Sequence, residues 1–241
     1  VADTAFKKLD IPIIADDVSV RLFLANKKTQ MRKLITVQPE SVEDGVFTFP
    51  EEAPRKWHEC TNILDMCHFG TVGDILRVQE AFRTEQKYDD CRRFCHPENV
   101  PMAYEIDGIP EGKGFGKLRK PQYMGRWASR IFLQITDVRV ERMQDISDED
   151  AIAEGATRKP KCIGHGRKVD GWSMEWPDVE PAEGWGHVAL ASPRFAYASY
   201  VIDAGHNGNF GLSRKRSLWD HNPWVFVISF KRITQAQAYC P

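Results

Sequence analysis

The sequence predicts an α+β domain built on a small β-barrel or curved sheet, with flanking helices and long loop insertions. Three observations carry this. The legible elements run helix, strand, strand, long strand, short helix, helix, strand, without the regular alternation of a doubly wound fold. There is no glycine-rich phosphate loop. At 241 residues, 42% hydrophobic and 28% charged, the chain can bury one large core. We find neither an internal repeat nor a low-complexity segment, and read residues 1–241 as a single domain.

Each element has its own signal. Asp17 is placed to cap a helix running to about Asn26, with Val18, Leu22 and Ala25 on one face. Residues 29–37 read as a strand that sets Met31, Lys33, Ile35 and Val37 on one side. Residues 38–56 are polar and carry prolines, which suits a loop with one short hairpin. "GTVGDILRV" is a turn delivering a strand. Residues 84–101 are charged and irregular. "RIFLQITDVRVER" (130–142) alternates Ile131, Leu133 and Ile135 with polar partners and reads as a long strand. In "DISDEDAIAEGA" Ser147 is an N-cap, Asp150 the far side of a capping box, Ile146 a staple and Gly155 the stop. That makes a two-turn helix ending at Glu154. Residues 156–192 show neither helical nor strand period, and a helix from Pro193 to about Ala204 follows. "NPWVFVISFKRI" is a β-branched and aromatic final strand.

Composition excludes some functions. A formal net charge of -1 leaves no polycationic surface for wrapping nucleic acid, so any such affinity must come from a local patch. No apolar run approaches the roughly 20 residues that span a bilayer. "VADTAFKKLDIPII" lacks the apolar core of a signal peptide, and the expected location is cytoplasmic. The six cysteines are scattered. Cys91, Cys95 and His96, and Cys162 with His165, look like fragments of a zinc site, but their spacing departs from the usual paired knuckles. We read the cysteines as free thiols and expect no metal and no cofactor.

The local patch is "LANKKTQMRK" (24–33), with four cationic side chains in ten positions. It reads either as a hydrated connection from helix to strand or as the wall of a polar pocket.

"NKKTQMRK", "VGDILRVQEAF", "GRWASRIFLQITDVRVERMQDISDEDAIAEG" and "WDHNPWVFVISFKRI" together resemble the ASCH family, a branch of the PUA-like barrels. The likeness is nearest to its longer phage and prophage forms. The four blocks cover roughly a third of the chain, in the family's order. The resemblance implies insertions near 38–66, 84–120 and 156–192, a cleft beside the first basic strand, and recognition of RNA or a modified nucleoside.

The family signature is a glycine, a lysine two residues on, a polar residue three further, and an arginine two beyond. Here those positions hold Asn26, Lys28, Met31 and Lys33. Asparagine still tolerates a left-handed turn. Met31 is the departure: the small ASCH enzymes similar to acetylcytidine amidohydrolases have a nucleophilic threonine there, activated by the lysine. Glu154, by its place in "AIAEG", matches the family's glutamate. Without a hydroxyl, covalent catalysis stops, although Lys28 and Glu154 could still activate water. Thr29 is nearby in a different register.

The resemblance therefore implies catalytic roles for Lys28 and Glu154. It implies ligand contacts from Lys28, Thr29, Lys33, Arg126 and Trp127, with Lys27 and Arg32 solvated. Against this, Glu154 reads equally as an exposed helix end. Arg126 and Trp127 read either as a structural anchor or as a phosphate contact and a stacking platform. Trp172, Trp176 and Trp185 read as a lid or as packing. Three function classes follow: a binding module for RNA or a modified nucleoside, a hydrolase of acylated nucleosides or RNA, and a protein-interaction factor in a phage setting.

Overall fold

The computed structural model describes residues 9–43, 45–89, 100–109, 114–164, 167–174, 190–207 and 217–239. It begins with β1 (Asp10–Ile14), α1 (Asp17–Leu24) and β2 (Gln30–Leu34), then a hairpin of β3 (Ser41–Glu43) and β4 (Val46–Thr48). Next come α2 (Arg55–His58), β5 (Ile75–Gln79), β6 (Phe82–Thr84), β7 (Met102–Tyr104) and β8 (Phe132–Arg142). The remainder is α3 (Asp148–Ala153), β9 (Thr157–Gly164), β10 (Arg167–Ser173), α4 (Pro193–Asn207), α5 (Leu218–His221), β11 (Trp224–Ile233) and α6 (Gln235–Tyr239). The architecture is mixed α+β.

Five strands form the main sheet in the order β1-β5-β8-β11-β2, and only the β1–β5 pairing is parallel. β1 and β2 are its edges, and the pairing does not show a closed barrel. Both edges nevertheless feed one apolar cluster: Ile13 of β1 and Met31 of β2 are buried with Leu76, Leu133, Phe226 and Phe230. Val20 and Phe23 of α1 join the same cluster. The opposite face of the sheet carries a second cluster, where Val225 and Val227 meet Ile146, Ala151, Ala196 and Val201. β11 is thus buried on both sides, which explains why "WVFVISF" shows no polar alternation.

Several sequence expectations need correction. Asp16 caps α1, its side chain accepting from the Ser19 N–H at 2.7 Å, and Asp17 lies in the first turn. The buried face of α1 is Val20, Leu22 and Phe23. Residues 156–192 are not without strands: β9 and β10 form a hairpin from Ser173↔Thr157 to Arg167↔Gly164. Its strands carry polar residues on both alternate sets, so no apolar period marks them. β1 and the β6–β7 hairpin were also unforeseen, being only five and three residues long.

Among the described residues, no helix is long and apolar enough to cross a membrane, and no group of His, Cys, Asp and Glu could hold a metal ion. Cys91, Cys95, His96, His165, Trp176 and Trp185 lie outside the described residues.

Candidate functional site

The site begins at the end of α1. Asn26 takes the left-handed conformation (φ 53°), so its N–H reaches the Phe23 carbonyl at 3.1 Å and the Lys27 N–H reaches the Leu22 carbonyl at 2.9 Å. This double closure of the last turn is a Schellman motif, with asparagine serving where glycine is commoner. It turns the chain sharply and delivers Lys28 to the side of β2. The Thr29 N–H then donates to the Ala153 carbonyl at 2.8 Å, tying this turn to the last turn of α3.

The other half comes from α3. Ser147 caps the helix by accepting from the Asp150 N–H at 3.0 Å. The helix stops at Gly155, whose φ of +116° suits glycine, and whose Cα lies so close to α1 that a Cβ would meet Leu22 Cδ1 at 2.6 Å. That close approach brings Glu154 down onto the Lys28 turn.

Lys28 Nζ donates to Glu154 Oε2 at 2.8 Å and to the Glu154 carbonyl at 2.7 Å. The two side chains are 12% and 4% exposed, so the pair is nearly shut off from water. Arg32 approaches the same carboxylate at 3.4 Å and also reaches Glu141 at 3.0 Å and Asp150 at 2.9 Å. Gln30 completes the set, accepting from Arg32 at 2.9 Å and donating to Asp150 at 3.1 Å. Arg139 closes it from β8, 2.6 Å from Asp150 and 3.0 Å from Glu141. Asp137 also pairs with Arg139, at 3.6 Å, so three cations meet four carboxylates.

Two expectations change here. Arg32 is not solvated; its side chain is fully buried. β2 alternates, so Gln30 and Arg32 face away from Met31 and Lys33, and α3 and α4 cover the face that sequence alone leaves open to water. Asp150 does not turn back onto the cap. Its carboxylate is spent on Arg32, Arg139 and Gln30. Burial alone would raise the Asp150 carboxyl, but the hydrogen bonds from Gln30 and Arg32 and the nearby guanidinium charges outweigh it. The group is held below the ordinary carboxylate value.

Lys33 lies on the other face of β2, with its amine 5.7 Å from the centre of the Phe69 ring. Burial is the main reason its pKa falls below the ordinary lysine value, and the charge of Lys28 adds to it, while Glu154 and Asp16 pull the other way. The Tyr200 hydroxyl donates to Asp16 at 3.4 Å. Burial and then the Asp16 charge push Tyr200 up to about 12. Met31 is buried in the main core, and no hydroxyl replaces the family's threonine at that position. Thr29 is exposed beside Lys28.

Arg126 and Trp127 do not join this cluster. They form a 3-10 turn lining a separate cavity, Arg126 paired with Asp10 at 3.0 Å and stacked 3.8 Å from the Tyr239 ring centre, and Trp127 edge-on to Phe82 at 6.2 Å. The structure thus joins Lys28 to Glu154, with Thr29 beside them, while Lys33 lies on the other face of β2 and feels both of their charges. Sequence reasoning missed Arg32, Asp150, Asp16 and Tyr200. Only the period-2 placement of Arg32 opposite Met31 and Lys33 was a usable signal.

Comparisons with protein-family models, with curated proteins and with solved structures found no significant match.

Proposed function

We propose that this chain is an ASCH-type, PUA-like domain that binds a modified nucleoside, free or at an unpaired position of RNA, in the cleft beside β2. One observation carries this reading. Lys28 and Glu154, singled out by motif position alone, lie 126 residues apart in the chain and meet in a nearly buried ion pair. Asn26 in the left-handed conformation at the signature glycine position supports it, as does the convergence of both sheet edges on one core, the curvature a PUA-like barrel needs.

The charge balance shapes what the cleft can take. With Lys28 and Arg32 already engaged by carboxylates, little uncompensated positive charge remains for a run of phosphates. A small polar ligand that hydrogen-bonds to the pair and to Lys33 fits better.

Titration calorimetry with acetylcytidine, cytidine and a short unpaired RNA carrying acetylcytidine tests this. The parent is expected to prefer the acetylated forms, and Lys33→Ala to weaken binding about tenfold, or about 1.4 kcal/mol. Unchanged binding in a folded Lys33→Ala variant, or no preference for the modification, would remove the assignment.

A second reading, hydrolysis of an acylated nucleoside, is favoured by the lowered pKa of Lys33 beside Glu154, since an amine that releases its proton readily can act as a base toward water. Release of acetate from acetylcytidine, lost in Lys33→Ala, is its expected signature.

A further inference from the structure

The cavity that holds Arg126 and Trp127 is built from different elements and shares no residue with the Lys28 cleft. It encloses about 860 Å³, within the usual size of small-molecule sites. Five cations line it: Arg77, Lys117, Arg119, Lys120 and Arg126. Its lining contains no aspartate or glutamate. Asp10 and Asp89, outside the lining, pair with three of the five, which leaves a positive local excess in a chain whose formal net charge is -1.

Three of the cations are held in place. Arg77 is fixed by Asp10, the Met124 carbonyl and Ser129, at 3.3, 3.4 and 3.2 Å. Arg119 is fixed by Thr84 at 2.6 Å, the Tyr88 carbonyl at 3.1 Å and Asp89 at 3.4 Å. Arg126 is fixed by Asp10 and the Tyr239 ring. Guanidinium groups ordered in advance lose little freedom when an anion arrives, and their forked donors suit phosphate. Lys120 stands exposed at the cavity.

The aromatic lining is the second half of the observation. Tyr123 lines the cavity and is 59% exposed, so its ring is accessible to a ligand. Trp127 is locked: it stands edge-on to Phe82, and its indole covers Gly125 so closely that a Cβ there would come within 2.6 Å of Nε1. An exposed ring beside a fixed one, with five cations in the lining and the carboxylates of Asp10 and Asp89 outside it, matches a planar base carrying a phosphate. An acidic peptide would use the cations and leave the rings idle.

We infer that this cavity is a binding site for a nucleoside phosphate, either a free nucleotide or one nucleotide of a single strand, with Arg77, Arg119 and Lys120 facing the phosphate and Tyr123 stacking on the base. This inference does not depend on the reading of the Lys28 cleft.

Calorimetry on the full chain with adenosine monophosphate, adenosine, inorganic phosphate and an eight-nucleotide oligouridine tests it. The monophosphate is expected to bind at least tenfold more tightly than adenosine or phosphate alone. Lys120→Ala/Tyr123→Ala, both exposed and so not expected to disturb folding, should cost at least tenfold, while Lys33→Ala changes nothing. If the oligomer binds far more tightly than the monophosphate and its affinity falls steeply with salt, the physiological source is a strand. Comparable affinities identify a free nucleotide. Absence of binding by every nucleotide probe overturns the inference. So does binding that survives the double substitution or that disappears with Lys33→Ala. Gly125→Ala, which forces the Trp127 indole aside, gives an independent check: it should weaken the monophosphate and leave inorganic phosphate unaffected.

Discussion

The Lys28 ammonium lies 2.8 Å from the Glu154 carboxylate and 2.7 Å from the same residue's carbonyl, so one side chain both neutralises a buried acid and satisfies an open carbonyl at the end of α3. Removing either partner leaves the other charge stranded. Glu154→Gln is expected to cost about 3 kcal/mol, since Arg32 loses a carboxylate as well, and Lys28→Met somewhat less. In a urea-unfolding double-mutant cycle the two should couple by at least about 1 kcal/mol. Additive losses would mean that the contact contributes nothing of its own.

Gly155 is needed twice, for its φ of +116° and for the space taken by Leu22. Gly155→Ala should destabilise by roughly 2 kcal/mol or more, combining backbone strain with a clash. Adding Leu22→Ala relieves the clash, so the double variant should lose less than the sum of the single losses. Equal sums would assign the whole cost to the backbone.

Lys33 is held below its ordinary pKa by burial, which makes its charged form costly in the folded state. Below its folded pKa this penalty is fully present. Between the folded value and the ordinary 10.5 the unfolded chain binds more protons, so this contribution to stability rises with pH. Lys33→Met should therefore raise stability at neutral pH by on the order of 1 kcal/mol, and flatten that rise. A variant less stable at neutral pH would contradict this, whatever it does to binding.

Asp150 behaves oppositely. Burial opposes its charge, yet the hydrogen bonds from Gln30 and Arg32 and the charge of Arg139 prevail and lower its pKa. Its stabilisation is complete above the unfolded carboxylate value, about 3.9, and is lost as pH falls through the lower folded value. Asp150→Asn should destabilise at neutral pH by about 2 kcal/mol. The difference from the parent should shrink in acid, as followed by thermal unfolding between pH 6 and pH 2.5. A constant difference would exclude the linkage.

Much of the backbone was legible in local chemistry. β8 and β11 announce themselves by alternation and by β-branched density, and α3 by Ser147 and Gly155. What escaped was short or polar on both faces, such as β1 and the β9–β10 hairpin, where pairing depends on partners far along the chain. The site was half legible. Motif position selected Lys28, Lys33 and Glu154, and Asn26 was rightly read as able to turn left-handed. Arg126 and Trp127, assigned to the same ligand, line another cavity.

By itself the sequence determined the segments that form α1, α3, α4, β8 and β11, because caps, turn residues and apolar period act within a few residues. It also determined that the Lys28 turn is sharp, through Asn26. Only the tertiary structure decided what the charges do. Arg32 is one residue from Met31 and one from Lys33, yet it lies under α3 and α4 among three carboxylates drawn from β8 and α3. Burial and pairing are properties of packed neighbours, and Glu141, Asp150 and Glu154 become neighbours of Arg32 only when α3 folds back over the sheet. The same packing draws Lys28 and Arg32, two of the four cations in residues 24–33, into a nearly closed network of ion pairs, while Lys33 lies on the other face of β2 with its pKa lowered by burial.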